Sequence, residues 1–361
     1  MHEKIILTYD EQIEFLKSRG ITFNYGYSLE TAKEYLEDCN NLFRIKSYLK
    51  NFKDHNSDTY KGTDFSYLVD LARLDQVLRK LIRDMSMAIE HFSKVHLLYL
   101  VTTCCPDTPA YSLVAKYFDS LDIASKKYFN AILSAYSRDS QVCGLPNKYS
   151  CETAGCRYCD HLPIWAYLEI VPFGPFTYFY KFCIRNLISK EEYSYKYEEN
   201  IFYFLRTVKA ARNRAAHDDL FLNDLIISKN KFAKASKEKP RIQKALPDWI
   251  ENDLPQREYK KVDKSLLPLD SIYKNEKICA TITCFYVYKE LVVKGTSSKY
   301  RDFFQHPYEI MPTDLLEALR QFKRQIEAFI EKVPRNLDYK FLPTRSVLIF
   351  LQLLIASWFF I

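Results

Sequence analysis

An arginine and a histidine separated by four residues stand in the second half of the chain. Residues 206–219 read RTVKAARNRAAHDD and contain Arg212, Asn213 and His217. A histidine can accept or donate a proton near neutral pH, because its ordinary pKa is about 6.5. A guanidinium stays charged, so it can hold a phosphate and offset charge that develops on it. Metal-independent RNA cleavage needs these two capacities, so His217 is a candidate general acid or base, Arg212 a candidate phosphate clamp and Asn213 a candidate orienting residue.

The spacing of this motif favours a site that two copies of the chain share. On a helix, positions five apart differ by about 140°, so Arg212 and His217 flank a groove instead of stacking. Asn213 precedes the histidine by four residues and lies on its side of the helix. A second copy across a two-fold axis would supply the complementary acid or base. We therefore predict a homodimer.

A second pair, Arg301 and His306, has the same spacing. Asp302 follows its arginine where the first motif has an asparagine, and Pro307 follows its histidine directly. A proline disfavours helix at the residue before it, so we expect this histidine at a helix end or in a loop. We interpret the Arg301–His306 pair as coincidental. Because the same spacing can arise by chance, the spacing alone is weak support for a function of Arg212 and His217.

The elements that position these residues are predicted to be helices. Apolar side chains recur at intervals of three and four residues, and the alternation of apolar and polar residues typical of strands is nearly absent. The sequence predicts an all-α protein. Residues 65–100 contain no proline or glycine and predict one helix of about 50 Å at about 1.5 Å per residue. A capping box at Thr8 and Glu11 predicts the first helix, and Gly20 suits the left-handed position after it. Further helices are predicted from residue 41 and over residues 28–39, 110–137, 162–188, 198–217, 271–293 and 314–332.

Composition excludes several classes of protein. The chain has 361 residues, 48% hydrophobic and 27% charged, which is typical of a globular protein with domains of about 150 residues. The 7 glycines lack the spacing of a Rossmann fingerprint or a P-loop, so nucleotide binding of these kinds is not expected. The net charge of +7 permits an anionic partner. The first residues carry no signal-peptide pattern, which predicts a cytoplasmic location.

Several segments across most of residues 1–225 carry the pattern of a known family. They are Tyr9–Gly20, Asn41–Ile45, Leu74 and Asp75 with Arg79, Ala88–Glu90, Pro163–Trp165 with Glu169, Phe173 and Gly174, Arg212–His217, and Asn223. In these segments the chain resembles the Abi-like abortive-infection family of the HEPN superfamily. The resemblance implies a dimeric HEPN helical bundle that cuts RNA without a metal and leaves a 2′,3′-cyclic phosphate. It also implies a toxin–antitoxin role in phage defence. Relatives of this family are related to the HEPN nucleases of type VI CRISPR effectors, and some associate with a structured non-coding RNA. We expect a partner RNA to control the protein.

Two acidic residues have open roles beside the motif. Glu90 matches an acidic position of the family, but a solvent-facing or dimer-interface carboxylate would explain it equally well. Asp218 stands where family members often carry a second histidine. It could orient His217 or be an exposed acidic helix end. Phe221 and Leu222 stand where the family has a clearer aromatic residue.

The sequence also predicts the division of the chain into parts. An N-terminal helical segment is expected over residues 1–60, and the HEPN bundle over 61–225 with an insertion at 138–162. A basic linker that contains prolines follows over 226–265, and a C-terminal helical region with additional helices over 266–361.

The basic linker is a candidate contact for RNA, because neutralising phosphates releases counterions and strengthens binding. Residues 229–244 carry one acidic residue, Glu238, among the lysines and the arginine. A solvated loop would show the same composition. No DNA partner is predicted. The candidate RNA-binding residues are Arg214, Lys231, Lys234, Lys237, Lys239 and Arg241.

Four cysteines within the predicted insertion form a candidate structural zinc site, since one pair has the two-residue spacing of a zinc knuckle and His161 follows. Reduced thiols that only fill a core are the alternative. No cofactor is predicted for catalysis. The cysteines are Cys143, Cys151, Cys156 and Cys159.

The apolar C-terminus, residues 347–361, spans about 22 Å as a helix, against about 30 Å for a bilayer core. We expect a helix buried in the protein or in a partner, and no membrane partner. The main hypothesis is a dimeric HEPN ribonuclease. The alternatives are a module that binds structured RNA with little or no cleavage, and a membrane-acting toxin that uses this C-terminal segment.

Overall fold

The computed structural model describes residues 6–52, 60, 62–138, 162–188, 193–225, 275–294, 313–332 and 351. Within these ranges the regular elements are helical, with one isolated parallel bridge between Thr22 and Asp64. The prediction of an all-α protein is therefore confirmed.

The helices follow the chain in this order. They are α1 (Tyr9–Ser18), α2 (Leu29–Asp38), α3 (Leu42–Leu49), α4 (Phe65–Cys104), α5 (Ser112–Asp119), α6 (Ile123–Arg138), α7 (Ile164–Ile170), α8 (Phe173–Leu187), α9 (Tyr193–Ala216), α10 (Glu276–Val287) and α11 (Thr313–Lys332). A 3₁₀ turn (Lys50–Phe52) follows α3, and a π-helical segment (Tyr288–Lys294) continues α10.

Side-chain caps begin the first three helices, because a polar side chain satisfies backbone N–H groups that have no intrahelical partner. The capping box at α1 is confirmed: the carboxylate of Glu11 accepts from the backbone N–H of Thr8 at 2.7 Å. The hydroxyl of Ser28 caps α2 by accepting from the N–H of Thr31, and the side chain of Asn41 caps α3 by accepting from the N–H of Arg44. Gly20 has φ 86°, the left-handed conformation that its position after α1 predicted.

Two of the predicted helices are broken, which corrects the sequence interpretation. The segment predicted as one helix over residues 110–137 forms α5 and α6, and Asp122 accepts from the backbone N–H of Ser125 to begin the second. The segment predicted over 162–188 forms α7 and α8. Pro172 separates them because it has no N–H to donate and disfavours helical backbone at Val171.

The chain divides into two compact units, and both boundaries fall inside helices, one in α4 and the other in α9. One unit comprises residues 1–86 and 210–361, and we call it the motif unit because it contains Arg212 and His217. The other comprises residues 87–209 and is called the aromatic unit. The domain boundaries expected from the sequence stay a prediction.

In the motif unit, the first part of α4 contacts segments from both the N-terminal and the C-terminal parts of the chain. Phe65 at the start of α4 lies in an aromatic cluster with Phe23, Tyr27 and Tyr35, with ring centroids 5.4 to 6.0 Å apart. Lys332 at the end of α11 forms an ion pair with Asp70 of α4 at 2.6 Å. Leucines of α4 at three- and four-residue intervals are fully buried, as the periodicity predicted.

The aromatic unit has a core of Tyr and Phe rings. Tyr167 of α7 meets Phe179 of α8 edge-on, with ring centroids 4.7 Å apart. A buried carboxylate, Glu198 of α9, accepts a hydrogen bond from the hydroxyl of Tyr180. The same carboxylate lies 3.0 Å from Nε2 of His96 in α4. The carboxylate thus joins three helices of this unit through groups far apart in the sequence.

Candidate functional site

The three candidate catalytic residues lie at the C-terminal end of α9. Ala211 and Ala215 are buried, while Arg212 and Asn213 are half-buried on the last turns. His217 follows the helix and is exposed to solvent. Its backbone N–H donates to the carbonyl oxygen of Asn213 at 2.9 Å.

The residue after His217 ends the helix in a left-handed turn. Asp218 has φ 61°, and its N–H donates to the carbonyl of Ala215 at 3.3 Å. The N–H of Asp219 donates to the carbonyl of Arg214 at 3.0 Å. These two bonds form a Schellman motif, in which glycine is the usual left-handed residue. An aspartate there costs about 1 kcal/mol relative to glycine, although aspartate tolerates this conformation better than most residues.

Two arginines bind the carboxylate of Asp218. Arg44 of α3 approaches Oδ2 with Nη1 at 2.5 Å and donates from Nη2 to the backbone carbonyl of Asp218 at 2.8 Å. Arg79 of α4 approaches Oδ1 with Nε at 2.8 Å. The hydrogen bond from Arg44 and the positive charge of Arg79 lower the pKa of Asp218 below its ordinary value. This carboxylate is therefore anionic near neutral pH.

A second carboxylate, Asp75 of α4, continues this network into the core. It is fully buried and forms an ion pair with Arg79, whose side chain is 10% exposed. Its Oδ1 accepts from the backbone N–H groups of Phe221 and Leu222 at 2.7 and 2.6 Å. Burial raises the pKa of Asp75, while Arg79 and the two N–H groups oppose that shift. The buried charge has the partners that it requires.

Further polar groups hold residues 217–225, which we call the motif loop. Asn51 donates to the carbonyl of Leu222 at 2.6 Å and accepts from the N–H of Leu225 at 3.0 Å. Both bonds are buried, where an unmet backbone group would be costly. The motif loop is thus held by side chains of α3, of the 3₁₀ turn that follows it and of α4.

The start of α10 contacts the motif loop from the C-terminal part of the chain. Asn275 donates to the carbonyl of Asp224 at 3.1 Å, and Lys277 donates from Nζ to the carbonyl of Asn223 at 2.7 Å. Burial, followed by the charge of Arg214, lowers the pKa of Lys277 to about 8. The N-cap and first turn of α10 therefore also hold the motif loop.

Arg214, a candidate RNA-binding residue, has two neighbours within the motif unit. It forms an ion pair with Glu276 at 3.7 Å, and its guanidinium carbon lies 5.9 Å from the centre of the Phe221 ring. The side chain of Arg214 is 26% exposed. Its contact with RNA stays a prediction.

Glu90 belongs to the aromatic unit, whereas Arg212 and His217 belong to the motif unit. Its carboxylate lies 3.4 Å from Nζ of Lys94. Together with Trp165 and Glu169 it lines a groove of about 330 Å³ between α4 and α7. The structure thus gives Glu90 a local ion pair and a place beside an exposed tryptophan.

The structure adds residues that the motif spacing did not indicate as part of the site. Arg44, Asp75 and Arg79 stand in segments that carried the family resemblance, but nothing in their local sequence assigned them to the motif loop. Asn51 and Lys277 had no sequence signal at all. A polar residue within an apolar helical stripe, as Asp75 is in α4, is the one local sign that could have indicated a buried ion pair.

Several predicted sites lie outside the described residues. They are the basic residues Lys231, Lys234, Lys237, Lys239 and Arg241, the cysteines Cys143, Cys151, Cys156 and Cys159 with His161, and the second pair Arg301 and His306. In residues 347–361 only Leu351 is described, and it is buried. No helix in the described part of the chain combines the length and apolar composition that crossing a bilayer requires.

Comparison with known proteins identifies the family. A family model described as Abi-like protein matches residues 34–223, which is more than half of the chain and includes Arg44, Asp75, Arg79 and the whole Arg212–His217 motif. No curated protein and no solved structure matches the chain. The chain therefore belongs to the Abi-like protein family.

Proposed function

We propose that this protein is a metal-independent HEPN endoribonuclease of an abortive-infection system. Membership of the Abi-like family supports the role in abortive infection. The observation that carries the proposal is the exposed His217, held directly after a helix whose last turns present Arg212 and Asn213. Solvent can reach the imidazole, and a rigid backbone holds it, as acid–base chemistry requires.

The proposed reaction is transesterification within the RNA strand. A general base removes the proton of a ribose 2′-hydroxyl, and the 2′-oxygen attacks the adjacent phosphorus. The bond to the 5′-oxygen breaks, and a general acid gives that oxygen a proton. The products are a 2′,3′-cyclic phosphate and a 5′-hydroxyl end. Arg212 offsets the negative charge that develops on the phosphate.

This reaction needs an acid and a base at one phosphate, whereas the motif contributes one histidine. We propose that two copies of the chain pair so that each supplies a His217. The motif's place at the surface of its unit is compatible with such pairing. Control of the nuclease by a partner RNA belongs to the same proposal.

The test is cleavage of end-labelled RNA by the purified full chain, with and without EDTA. We expect cleavage that survives EDTA and leaves a cyclic phosphate identified by mass spectrometry. His217→Ala should lower the rate by at least a hundredfold, since general acid–base catalysis contributes about 10²- to 10⁴-fold. His91→Ala is the matched control, because His91 is also exposed but belongs to the aromatic unit.

Three outcomes would contradict the nuclease. One is equal cleavage by the parent protein and His217→Ala, and another is cleavage that EDTA abolishes. The third is tight binding of intact RNA by both proteins, which would favour the module that binds structured RNA.

A further inference from the structure

Asp218 directly follows the candidate catalytic histidine and is held by two helices. Arg44 comes from α3 and Arg79 from α4, and they bind different oxygens of the carboxylate at 2.5 and 2.8 Å. Arg44 also donates to the backbone carbonyl of Asp218. Hydrogen bonds between ionised groups are among the strongest that side chains form. The backbone after His217 is therefore fixed from two directions.

The backbone conformation of Asp218 makes this arrangement informative. At φ 61° glycine would be the favourable residue, because it has no Cβ to clash in the left-handed region. An aspartate forgoes that advantage, and its carboxylate gains two ion pairs that glycine could not make. The backbone conformation at position 218 favours glycine, so the contacts with the two arginines are what an aspartate adds there.

Arg79 is itself anchored in the core. Its guanidinium binds the buried Asp75, and Asp75 accepts the N–H groups of Phe221 and Leu222. The chain of contacts from Asp218 through Arg79 to Asp75 consequently joins both ends of residues 218–222. A shift of the turn at Asp218 would have to disturb a buried ion pair.

We propose that Asp218 is a positioning residue, which fixes the imidazole of His217 through Arg44 and Arg79; this inference rests on the proposed function. The backbone of His217 is held on one side by its bond to Asn213 and on the other by Asp218. Both oxygens of the carboxylate bind guanidiniums, and in this proposal Asp218 acts on the geometry of His217 through the backbone that joins the two residues.

The first variant is Asp218→Gly, which favours the left-handed turn and removes the carboxylate that both arginines bind, while the backbone carbonyl that accepts from Arg44 stays in place. We expect an unchanged or higher Tm, together with a kcat for RNA cleavage that falls about tenfold to a hundredfold, the usual result of misplacing a catalytic group. KM should stay within about twofold, because phosphate binding is left to Arg212. Asp219→Asn is the matched control, since it removes an adjacent charge and should change neither value.

A double-mutant cycle tests the route through the arginine. Arg44→Ala removes one partner of the Asp218 carboxylate and Asp218→Gly removes the carboxylate itself, so the loss of kcat in the double variant should be smaller than the product of the two single losses. Additive losses would show that the two residues act independently, which would overturn the proposed positioning.

Nuclear magnetic resonance of protein with isotope-labelled histidine measures the side-chain rotamers of His217 in the absence of RNA. We expect one side-chain rotamer for His217 in the parent protein and averaging among rotamers in Asp218→Gly. An averaged His217 in the parent, or full cleavage by Asp218→Gly, would overturn the inference. Parent protein that leaves RNA intact would instead overturn the proposed function, and the rotamer measurement would still show whether Asp218 fixes the histidine.

Discussion

At the scale of single residues, the motif unit depends on one buried ion pair. Asp75 has no solvent exposure, and it binds Arg79 and two backbone N–H groups of the motif loop. A buried pair adds little to stability as a whole, because desolvating both charges is costly. Removing one partner has a much larger effect, since it leaves the other charge buried and unmatched.

We therefore expect Arg79→Ala to lower the free energy of unfolding by about 3–5 kcal/mol. Arg83→Ala is the control, because Arg83 lies one turn further along α4 with its side chain exposed. That change should stay within about 0.5 kcal/mol. Urea denaturation followed by circular dichroism measures both, and equal midpoints for the two variants would contradict the role assigned to the pair.

At the scale of elements, a short helix supplies a side chain that contacts a residue far away in the sequence. The helix α3 has only 8 residues, too few to be stable in isolation. It presents Arg44 to the motif loop, and the side chain of Asn41 caps its start by accepting from the backbone N–H of Arg44 at 2.9 Å. The cap of α3 and the position of Arg44 are therefore coupled.

Asn41→Ala should destabilise the protein by about 1 kcal/mol, the typical effect of losing an N-cap. Asn41→Asp should stay close to the parent, because aspartate caps equally well and its charge suits a helix N-terminus. Thermal denaturation of the three proteins makes the comparison. If alanine and aspartate proved equally harmful, the side-chain cap would not be the cause.

At the scale of the whole molecule, segments distant in the chain meet around the motif loop. Lys277 lies beyond the residues that the family model matches, and its ammonium group donates to Asn223. Arg214, Asp224, Asp75 and Lys50 are the charged groups that influence it. Burial makes the charged form of Lys277 costly in the folded protein, so its pKa is lowered to about 8 from 10.5.

The sign of the resulting pH dependence follows from this shift. Between the folded and unfolded pKa values, the unfolded chain binds more protons at Lys277 than the folded protein does. Stability therefore rises with pH through this interval, as the cost of the buried charge is relieved.

Urea denaturation between pH 8 and 10.5 measures the free energy of unfolding of the parent protein and of Lys277→Met. The parent should become more stable relative to the variant as the pH increases. Lys127→Met is the control, since its side chain is exposed, and the difference between it and the parent should not depend on pH. A difference for Lys277→Met that is constant, or that falls with pH, would contradict the lowered pKa.

The sequence by itself determined the features that depend on neighbours in the chain. The caps at Thr8, Ser28 and Asn41 arise from side chains that reach backbone groups three residues on. The length of α4 followed from apolar periodicity without an interruption. Local signals also exist at Asp122 and Pro172, where the predicted helices should have been broken. The Arg212–His217 motif was recognisable because its residues lie within six positions of one another in the sequence.

Only the tertiary structure decided what holds that motif. Arg44 and Asp218 are 174 positions apart, and Asp75 and Leu222 are 147 apart. Such pairs leave no periodic or local pattern, because they form only when helices distant in the chain pack together. The same packing buries Asp75 completely and Lys277 in part, and the pKa values of both groups depend on that burial.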